Sequence, residues 1–423
     1  MKSEWQPCID IIGAARCTGC FGCQSACPTH AVDLPLDREG FYKPVVARAA
    51  CTKCGACQRT CPVMAYDEGR LPAAKWPEPK AFAAWTTDET LRDASSSGGI
   101  FSELARPVIS AGGTVAGCVW DANWTPQHIL ARTWRDVERM RGSKYVPSHV
   151  SDTYHGIVEH LRGSDTPVLF SGTPCQVAAM EAKLDQKQRE RSVLVEVICH
   201  GVPSLRVFRE YLRELFHRDA IASYTFRDKT FGWQSVLAES VCGRRHHVPA
   251  HQDAFFRGFS VHHLYVMEAC YSCAFARFPR AGDISLGDFW GCPDQWYDKQ
   301  GLSIALANTQ KGLDALESLV LSERVVLKPA HLQMVTKGSP RLVTSKNYIM
   351  PESRRMFLDG IIKGKSFRSL TARYYPQTDF KWRDRWSRFR HTSRKLQFLT
   401  DVVQRRLGKL RGKCSQFTSS RSA

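Results

Sequence analysis

Short apolar runs alternate with helical patterns from Ala81 onward. Runs rich in apolar and β-branched residues occur at Thr114–Trp120, 167–170 and 193–198, and each is followed by a Gly, Pro or Ser turn. The last two runs lead into segments with helical periodicity. Strands that alternate with helices are typical of an α/β arrangement. We therefore predict an α/β body in a chain that is α+β overall.

Composition divides the 423-residue chain into three parts. Residues 1–70 hold nine of the seventeen cysteines, and a Pro-rich polar stretch at 68–79 is typical of a linker. We assign the body to 80–345 and a basic helical segment to 346–423. The net charge of +18 is uneven, because 381–423 carries 13 basic and two acidic residues. The body is only mildly basic, so no nucleic-acid partner is expected.

The sequence predicts a cytoplasmic protein. No run approaches the roughly 18–20 apolar residues that are needed to span a bilayer. The first seven residues lack the basic-then-apolar layout of a signal peptide. In the cytoplasm, seventeen cysteines indicate metal or redox chemistry rather than disulfides.

An internal repeat occupies the cysteine-rich segment. The pattern C-x2-C-x2-C-x3-C-P occurs at 17–28 and again at 51–62, with matching offsets at every cysteine and at the proline. This spacing is the signature of a bacterial two-cluster ferredoxin. Three cysteines two residues apart wrap one face of a cluster, while the fourth is expected to open a helix and to point at the other cluster.

The repeat predicts two [4Fe–4S] clusters that exchange their fourth ligands. Set one comprises Cys17, Cys20, Cys23 and Cys61. Set two comprises Cys51, Cys54, Cys57 and Cys27. Zinc is the alternative, because paired C-x2-C units also bind zinc. A structural zinc site needs four ligands rather than a duplicated set of eight, so the spacing favours iron–sulfur clusters.

Four cysteines of the body form a second pattern. Cys175 follows a predicted strand and turn, Cys199 ends another strand, and Cys270 and Cys273 form a C-x2-C pair. The carboxyl ends of parallel strands meet at one edge of a sheet, where ligands bind in α/β proteins. We therefore expect these four cysteines, called set three, to converge on one site.

The body resembles the family of coenzyme F-420 hydrogenase/dehydrogenase beta subunits over roughly residues 80–330. The resemblance rests on Ser-Ser-Ser-Gly-Gly at 95–99, Gly-Ser-Lys-Tyr-Val-Pro-Ser at 142–148, Ser-Gly-Thr-Pro-Cys-Gln at 171–176, Cys-His-Gly at 199–201, and the C-x2-C pair with Gly-Asp-Ile-Ser-Leu-Gly-Asp-Phe-Trp-Gly at 282–291. Members bind FAD and usually one [4Fe–4S] cluster in this body, and many carry an N-terminal two-cluster ferredoxin domain. The Gly-Asp-Phe-Trp-Gly form is most similar to bacterial members associated with polysaccharide biosynthesis.

The resemblance implies that set three binds a third [4Fe–4S] cluster. From the residues alone two alternatives stay open: Cys175 has the setting of a reactive thiol at a helix N-terminus, and Cys199 that of a core residue. Five histidines between 246 and 263 lack a metal-binding spacing, and we interpret them as surface or core residues. Five cysteines receive no role: Cys8, Cys118, Cys242, Cys292 and Cys414.

The resemblance places the FAD contacts at Ser95, Ser96, Ser97, Gly98, Gly99, Lys144 and Tyr145. A serine–glycine turn that opens a helix presents unpaired N–H groups that suit a pyrophosphate, although such a turn is more often an ordinary cap. Lys144 would add a positive charge, and Tyr145 would stack or hydrogen-bond. No G-x-G-x-x-G follows a strand, so an ordinary Rossmann nicotinamide site is not supported.

Together these features predict an iron–sulfur flavoprotein oxidoreductase that couples a hydride step at FAD to one-electron transfer through clusters. The resemblance implies the deazaflavin coenzyme F-420 as hydride carrier, and another small hydride carrier is equally compatible. The expected partner is a redox protein such as a ferredoxin. One alternative is an electron-transfer subunit without its own substrate that serves a partner enzyme. Another is a membrane-associated assembly factor for polysaccharide biosynthesis.

The C-terminal segment shows a basic amphipathic pattern at 381–423, with aromatic and apolar residues at helical spacing. Such a helix suits an anionic membrane surface, which would make the protein peripheral at the inner membrane. It equally suits an acidic partner. The plainer alternative is a helix that packs on its own body with a solvated basic face.

Overall fold

The computed structural model describes residues 5–70, 75–217, 219–230, 232, 234–345 and 349–375. The strands of these residues are β1 (Val32–Asp33), β2 (Val45–Val46), β3 (Lys80–Thr86), β4 (Thr114–Trp120), β5 (Pro126–Ala131), β6 (Val168–Gly172), β7 (Ser192–Val197), β8 (Ile221–Asp228), β9 (Ser235–Ser240), β10 (Arg245–Pro249), β11 (Ile284–Asp288), β12 (Ser303–Ala307) and β13 (Val325–Ala330).

The helices of the same residues are α1 (Cys8–Ile12), α2 (Gly22–Ala26), α3 (Ala56–Thr60), α4 (Pro62–Asp67), α5 (Glu89–Asp93), α6 (Ile100–Ser110), α7 (Trp134–Met140), α8 (Ser151–Gly163), α9 (Pro174–Glu181), α10 (Gln186–Glu190), α11 (Leu205–Leu215), α12 (Ala254–Ser260), α13 (Gln310–Leu321), α14 (Leu332–Gly338), α15 (Ser353–Ile362) and α16 (Phe367–Tyr374). None of these helices is both long and apolar enough to cross a membrane.

A mixed eight-stranded sheet forms the centre of the body, in the order β13-β3-β12-β11-β7-β6-β4-β5. The strands β11, β7, β6 and β4 pair in parallel, whereas β5, β12, β3 and β13 are antiparallel to their neighbours. Because β3 and β11 are both antiparallel to β12, β3 points the same way as the parallel strands. The carboxyl ends of β3, β4, β6, β7 and β11 therefore meet at one edge, called the carboxyl edge. The α/β prediction is confirmed.

Helices cover both faces of this sheet. Leu169 and Val195 point toward α6, α7 and α13, whereas Phe170 and Leu194 point toward α8 and α9. Burial on both faces explains why β6 and β7 are continuous apolar runs rather than alternating ones. The second layer also contains Phe21, so the cysteine repeat packs directly on the body.

A smaller antiparallel sheet, β10-β9-β8, packs with α11, α12, α15 and α16 around an aromatic core. Helices α15 and α16 fall within the predicted C-terminal segment 346–423, yet Phe357 and Phe367 are buried in this core. The described residues accordingly form one compact unit up to Tyr375. The predicted basic helix at 381–423 lies outside the described residues.

Two of the clustered histidines take part in the smaller sheet. The Nε2 atom of His246 lies 3.1 Å from Asp253 Oδ2, and the Nε2 atom of His247 lies 2.7 Å from Asp228 Oδ1. The carboxylate of Asp253 also accepts a hydrogen bond from the buried Tyr211 hydroxyl at 2.6 Å. These contacts connect β8 and β10 of the smaller sheet to each other and to helices α11 and α12.

Candidate redox site

The two halves of the cysteine repeat fold alike. Helices α2 and α3 begin directly after a residue in the left-handed conformation, Phe21 (φ 65°) in one half and Gly55 (φ 73°) in the other. The third cysteine of each half lies in this short helix, and the fourth, Cys27 or Cys61, ends it. The tight turn before each helix brings the first three cysteines of a half to the same side.

The expectation that each fourth cysteine opens a helix is correct for only one half. Cys61 directly precedes α4, whereas Cys27 precedes a turn. There the N–H of Ala31 donates to Cys27 Sγ at 3.2 Å, and His30 adopts a left-handed conformation with φ 53°. The chain turns at this point because it enters β1, which pairs with β2.

The eight repeat cysteines line two cavities. One cavity is lined by all four cysteines of set one, and a second by all four of set two. Each fourth cysteine thus reaches the cavity of the other half. Cys17 and Cys61 of set one are buried, whereas Cys54 of set two is exposed to solvent.

Burial holds the first two thiols of set one in their protonated form. It raises the pKa of Cys17 to about 11, although the nearby Lys43 ammonium opposes this shift, and it raises the pKa of Cys20 well above its usual range. Within the described residues, no three His, Cys, Asp or Glu side chains are arranged to hold a single metal ion. A four-iron cluster has other demands, because each thiolate binds a separate iron at its own corner. Bound iron would supply positive charge that stabilises the thiolates.

Set three converges at the carboxyl edge. Cys175 follows β6 in the first turn of α9, Cys199 follows β7, and Cys270 ends a single 3₁₀ turn. Burial raises the pKa of Cys175 to about 12, and the nearby thiols of Cys199 and Cys273 add to this shift. Burial and the thiols of Cys199 and Cys273 likewise raise the pKa of Cys270. Four mutually close thiols form a suitable donor set for a [4Fe–4S] cluster.

Polar side chains support set three from two sides. The Oγ1 atom of Thr173 lies 3.2 Å from Cys175 Sγ, and Thr173 and Gln176 form a capping box at the start of α9. On the other side, the buried Arg341 donates from Nη2 to the carbonyl oxygen of Cys270 at 3.0 Å. A buried guanidinium beside thiolates would offset the negative charge of a bound cluster.

Set three lies next to set one. The hydroxyl of the buried Tyr154 lies 3.0 Å from the carbonyl oxygens of both Cys20 and Gln176, so one phenol connects the first cysteine loop to α9. Burial is the largest cause of the raised pKa of Cys20, and the nearby Cys175 thiol is the second largest. The cysteine sets therefore follow one another in the order two, one, three.

The serine–glycine turn at 95–99 also lies at the carboxyl edge. The N–H of Gly98 donates to Ser303 Oγ at 2.9 Å, and a Cβ on Gly98 would lie 2.2 Å from the Ala84 carbonyl oxygen. Glycine is therefore required here for packing on β3. In contrast, the Oγ atom of Ser97 is buried without a hydrogen-bond partner, and α6 has no side-chain cap. An anionic group at this position would accept hydrogen bonds from the Ser97 hydroxyl and from the N–H groups at the start of α6.

Arg227 of β8 connects this turn to the 142–148 motif. Its Nη2 donates to the Ser96 carbonyl oxygen at 2.6 Å and to Asp288 Oδ1 at 2.8 Å, and its Nη1 donates to the Tyr145 hydroxyl at 2.9 Å. The N–H of Ser143 donates to Ser96 Oγ at 2.9 Å. The structure thus brings Ser96 and Tyr145 together through Arg227, which belongs to none of the sequence motifs.

Lys144 is oriented toward α7 rather than toward the turn. Its ammonium lies 2.9–3.2 Å from three backbone carbonyl oxygens at the end of that helix. Burial lowers the pKa of Lys144 to about 8. Besides Arg227, Lys229 places a positive charge beside the turn, because its Nζ donates to the Ser97 carbonyl oxygen at 3.1 Å. Contact of Lys144 with a phosphate stays a prediction.

His200 lies just after β7, beside the strand β11 that ends at Asp288. It directly follows Cys199, and burial together with the guanidinium of Arg341 lowers the pKa of His200 to about 4, while Asp288 opposes this shift. The imidazole is therefore neutral near pH 7. Set three, His200 and the Arg227–Asp288 pair are adjacent along the carboxyl edge.

Comparison with known protein families agrees with this architecture. The N-terminal and C-terminal regions of "Coenzyme F420 hydrogenase/dehydrogenase, beta subunit" match residues 81–154 and 165–332, respectively. The chain belongs to the family of coenzyme F420 hydrogenase/dehydrogenase beta subunits. Ahead of these regions, a 4Fe-4S dicluster domain matches residues 16–65. The N-terminal part of this family member is therefore an iron–sulfur domain, and the zinc alternative is set aside.

Two relatives show how far the similarity extends. The F subunit of the F(420)H(2) dehydrogenase of Methanosarcina mazei is 25% identical over 302 residues, which span 68% of this chain and 79% of the relative. A chain in the xenon-derivatised F420-reducing [NiFe] hydrogenase complex of Methanosarcina barkeri matches with a TM-score of 0.48 and 17% identity, over 68% of this chain and 94% of that one. The family membership identifies the chain as related to oxidoreductase subunits.

Proposed function

We propose that this protein is an iron–sulfur flavoprotein oxidoreductase, with FAD bound at the serine–glycine turn and three [4Fe–4S] clusters bound by sets one, two and three. The observation that supports this most strongly is the position of set three at the carboxyl edge. On one side, Tyr154 connects the Cys20 loop of set one to α9, which contains Cys175. On the other side, β7, which precedes Cys199, pairs with β11, which ends at Asp288. A donor set in that position would connect a flavin to the ferredoxin domain.

The residues of the turn fit the diphosphate of FAD. The unpartnered hydroxyl of Ser97 and the uncapped first turn of α6 would bind its anionic oxygens. Arg227 holds Ser96 and Tyr145 in fixed positions. Bound FAD would exchange a hydride with a substrate and single electrons with four-iron clusters.

The proposed hydride carrier is coenzyme F-420 or another small carrier of the same chemistry, because family members are described by that coenzyme. The proposed location is the cytoplasm. A membrane-surface or acidic-partner role for 381–423 and a link to polysaccharide biosynthesis remain predictions from the sequence.

The first test is the cofactor content of the anaerobically purified full-length chain. We expect about twelve iron, about twelve acid-labile sulfide and about one FAD per chain, since each of three clusters holds four iron atoms. About eight iron without flavin would contradict the assignment of the body. It would leave a two-cluster ferredoxin domain fused to an α/β domain of another purpose.

A second candidate function is an electron-transfer subunit without its own substrate. It is favoured by the name of the Methanosarcina mazei relative, which is one subunit of a dehydrogenase. Incubation of the isolated chain with reduced coenzyme F-420 and an artificial one-electron acceptor distinguishes the two. Turnover supports the oxidoreductase, whereas a flavin-loaded chain without turnover supports the electron-transfer role.

The proposed contact surface for a redox partner is the exposed side of set two. Cys54 is exposed, Lys53 next to it is also exposed, and Arg59 donates from Nη1 to the Cys54 carbonyl oxygen at 3.0 Å. These positive charges suit an acidic carrier such as a ferredoxin. We expect Lys53→Glu to slow electron exchange with an acidic plant-type ferredoxin several-fold at low ionic strength, as measured by stopped-flow absorbance.

The matched control is Lys365→Glu, which makes the same charge change at an exposed lysine between α15 and α16. The Lys53→Glu effect should shrink at high salt, because exposed charges are screened beyond about 3 Å at 1 M ionic strength. Equal rates in the two variants at low salt would argue against this surface. The cluster signals after reduction with dithionite should be unchanged in both variants.

A further inference from the structure

Lys43 lies against the first cysteine loop of set one. Its Nζ donates to the carbonyl oxygen of Ala14 at 2.7 Å and to that of Cys17 at 2.9 Å. The next residue along the chain, Pro44, lines the cavity of set one together with Cys17. The lysine ammonium is therefore held directly beside a residue of that cavity.

The backbone fixes the place of this lysine. Tyr42, directly before it, pairs with Leu36 in an antiparallel bridge. The N–H of Lys43 itself donates to the Pro35 carbonyl oxygen at 3.1 Å. A Cβ on Gly19 would lie 2.7 Å from the Tyr42 carbonyl oxygen, so the cysteine loop packs closely on this segment. The segment and the loop therefore keep the charge of the ammonium at a constant distance from the cavity.

The charge of Lys43 is not neutralised by an acidic side chain of the described residues. Both hydrogen-bond partners of its ammonium are backbone carbonyl oxygens, and no carboxylate of that part of the chain forms an ion pair with it. The side chain is half-buried. Solvent and salt therefore screen its charge less than they screen that of a fully exposed lysine.

Set two has a more exposed cation in the comparable role. Arg59 donates from Nη1 to the Cys54 carbonyl oxygen at 3.0 Å, and its side chain is exposed. Neither cation is repeated in the other half: the residue at the same offset is Pro77 for Lys43 and Ser25 for Arg59. The ligand pattern of the repeat therefore does not account for the two cations.

We propose that Lys43 raises the reduction potential of the [4Fe–4S] cluster bound by set one. This inference rests on the proposed function, because it requires a cluster in set one. Reduction of such a cluster adds one electron and therefore one negative charge, and no bond forms or breaks. A fixed positive charge nearby stabilises the reduced state more than the oxidised state.

The test is a potentiometric titration of the full-length, cluster-loaded chain with dithionite, followed by EPR. The variant Lys43→Gln removes the charge but keeps a hydrogen-bond donor. At a fixed potential, its ratio of reduced to oxidised set-one cluster should fall about tenfold, which is about 59 mV for a one-electron couple. The variant Lys43→Arg keeps the charge, so its ratio should stay within about twofold of the wild-type value.

Two further variants show whether the effect belongs to set one. Arg59→Gln should lower a different potential, that of set two, and by less, because an exposed charge is screened more strongly. Lys365→Gln, at an exposed lysine between α15 and α16, should leave all potentials unchanged. If Lys43→Gln and Arg59→Gln lowered the same potential, the assignment of Lys43 to set one would be wrong.

Unchanged potentials in Lys43→Gln would overturn the proposal. An equal fall in Lys43→Gln and Lys43→Arg would overturn it too, since the charge would not be the cause. Loss of about four iron per chain in Lys43→Gln would mean that this lysine is needed to assemble the cluster rather than to set its potential. A wild-type chain without iron would instead contradict the proposed function, and this result is visible before any variant is made.

Discussion

Replacing Cys175 by serine is expected to remove the third cluster and leave the other two. Iron should fall from about twelve to about eight per chain, because a serine hydroxyl is a poor substitute for a cluster thiolate. FAD content should stay near one per chain, since the contacts of the serine–glycine turn do not include Cys175. Reduction of the flavin by a hydride donor should then no longer produce the EPR signals of reduced sets one and two.

The matched control for this variant is Cys118→Ser. Cys118 lies in β4, outside the three sets, and burial raises its pKa to about 11, so its environment is comparably apolar. The control should keep about twelve iron. If Cys175→Ser also keeps twelve iron but loses turnover, Cys175 is a reactive thiol. If it keeps both about twelve iron and turnover, Cys175 is neither a ligand of the third cluster nor a reactive thiol, and the third cluster has other ligands.

The parts of the site that the sequence predicted are those encoded by local spacing. The C-x2-C-x2-C-x3-C repeat fixes which cysteines share a loop, and the fourth cysteine can only face the neighbouring cavity. The two strand-end cysteines, Cys175 and Cys199, were also predictable, because they follow apolar runs that form adjacent parallel strands. In each case, short-range chain geometry determines which residues meet.

The parts that the sequence did not predict depend on contacts between distant segments. Arg227 is 131 residues from Ser96 and 61 from Asp288, and no motif surrounds it. Cys8 has no counterpart before the second half of the repeat. Its place in the lining of the set-one cavity therefore follows only from how α1 packs. Phe357 and Phe367 belong to a segment rich in basic residues, but the aromatic core they enter is formed by β8, α11 and α12.

Removal of Arg227 is expected to weaken FAD binding without loss of iron. The variant Arg227→Gln loses the charged hydrogen bonds to Ser96, Tyr145 and Asp288, which hold the serine–glycine turn and the 142–148 motif together. Such bonds contribute about 1.5–3 kcal/mol each, so the dissociation constant for FAD should rise about 10- to 100-fold. Titration of flavin-depleted chain with FAD, followed by fluorescence, measures this change.

The effect of Arg227→Gln on the stability of the fold must be separated from its effect on FAD binding, because Asp288 would lose its ion pair with Arg227. The Arg227 and Asp288 side chains are 4% and 10% exposed, and breaking such a pair costs about 3–5 kcal/mol. The control is Arg189→Gln, which breaks the 2.6 Å pair with the 1% exposed Asp283, a residue just before β11 at the opposite edge of the sheet. Both variants should show a lower melting temperature, but only Arg227→Gln should lose FAD affinity. Equal affinities would mean that Arg227 stabilises the fold and that FAD binds elsewhere.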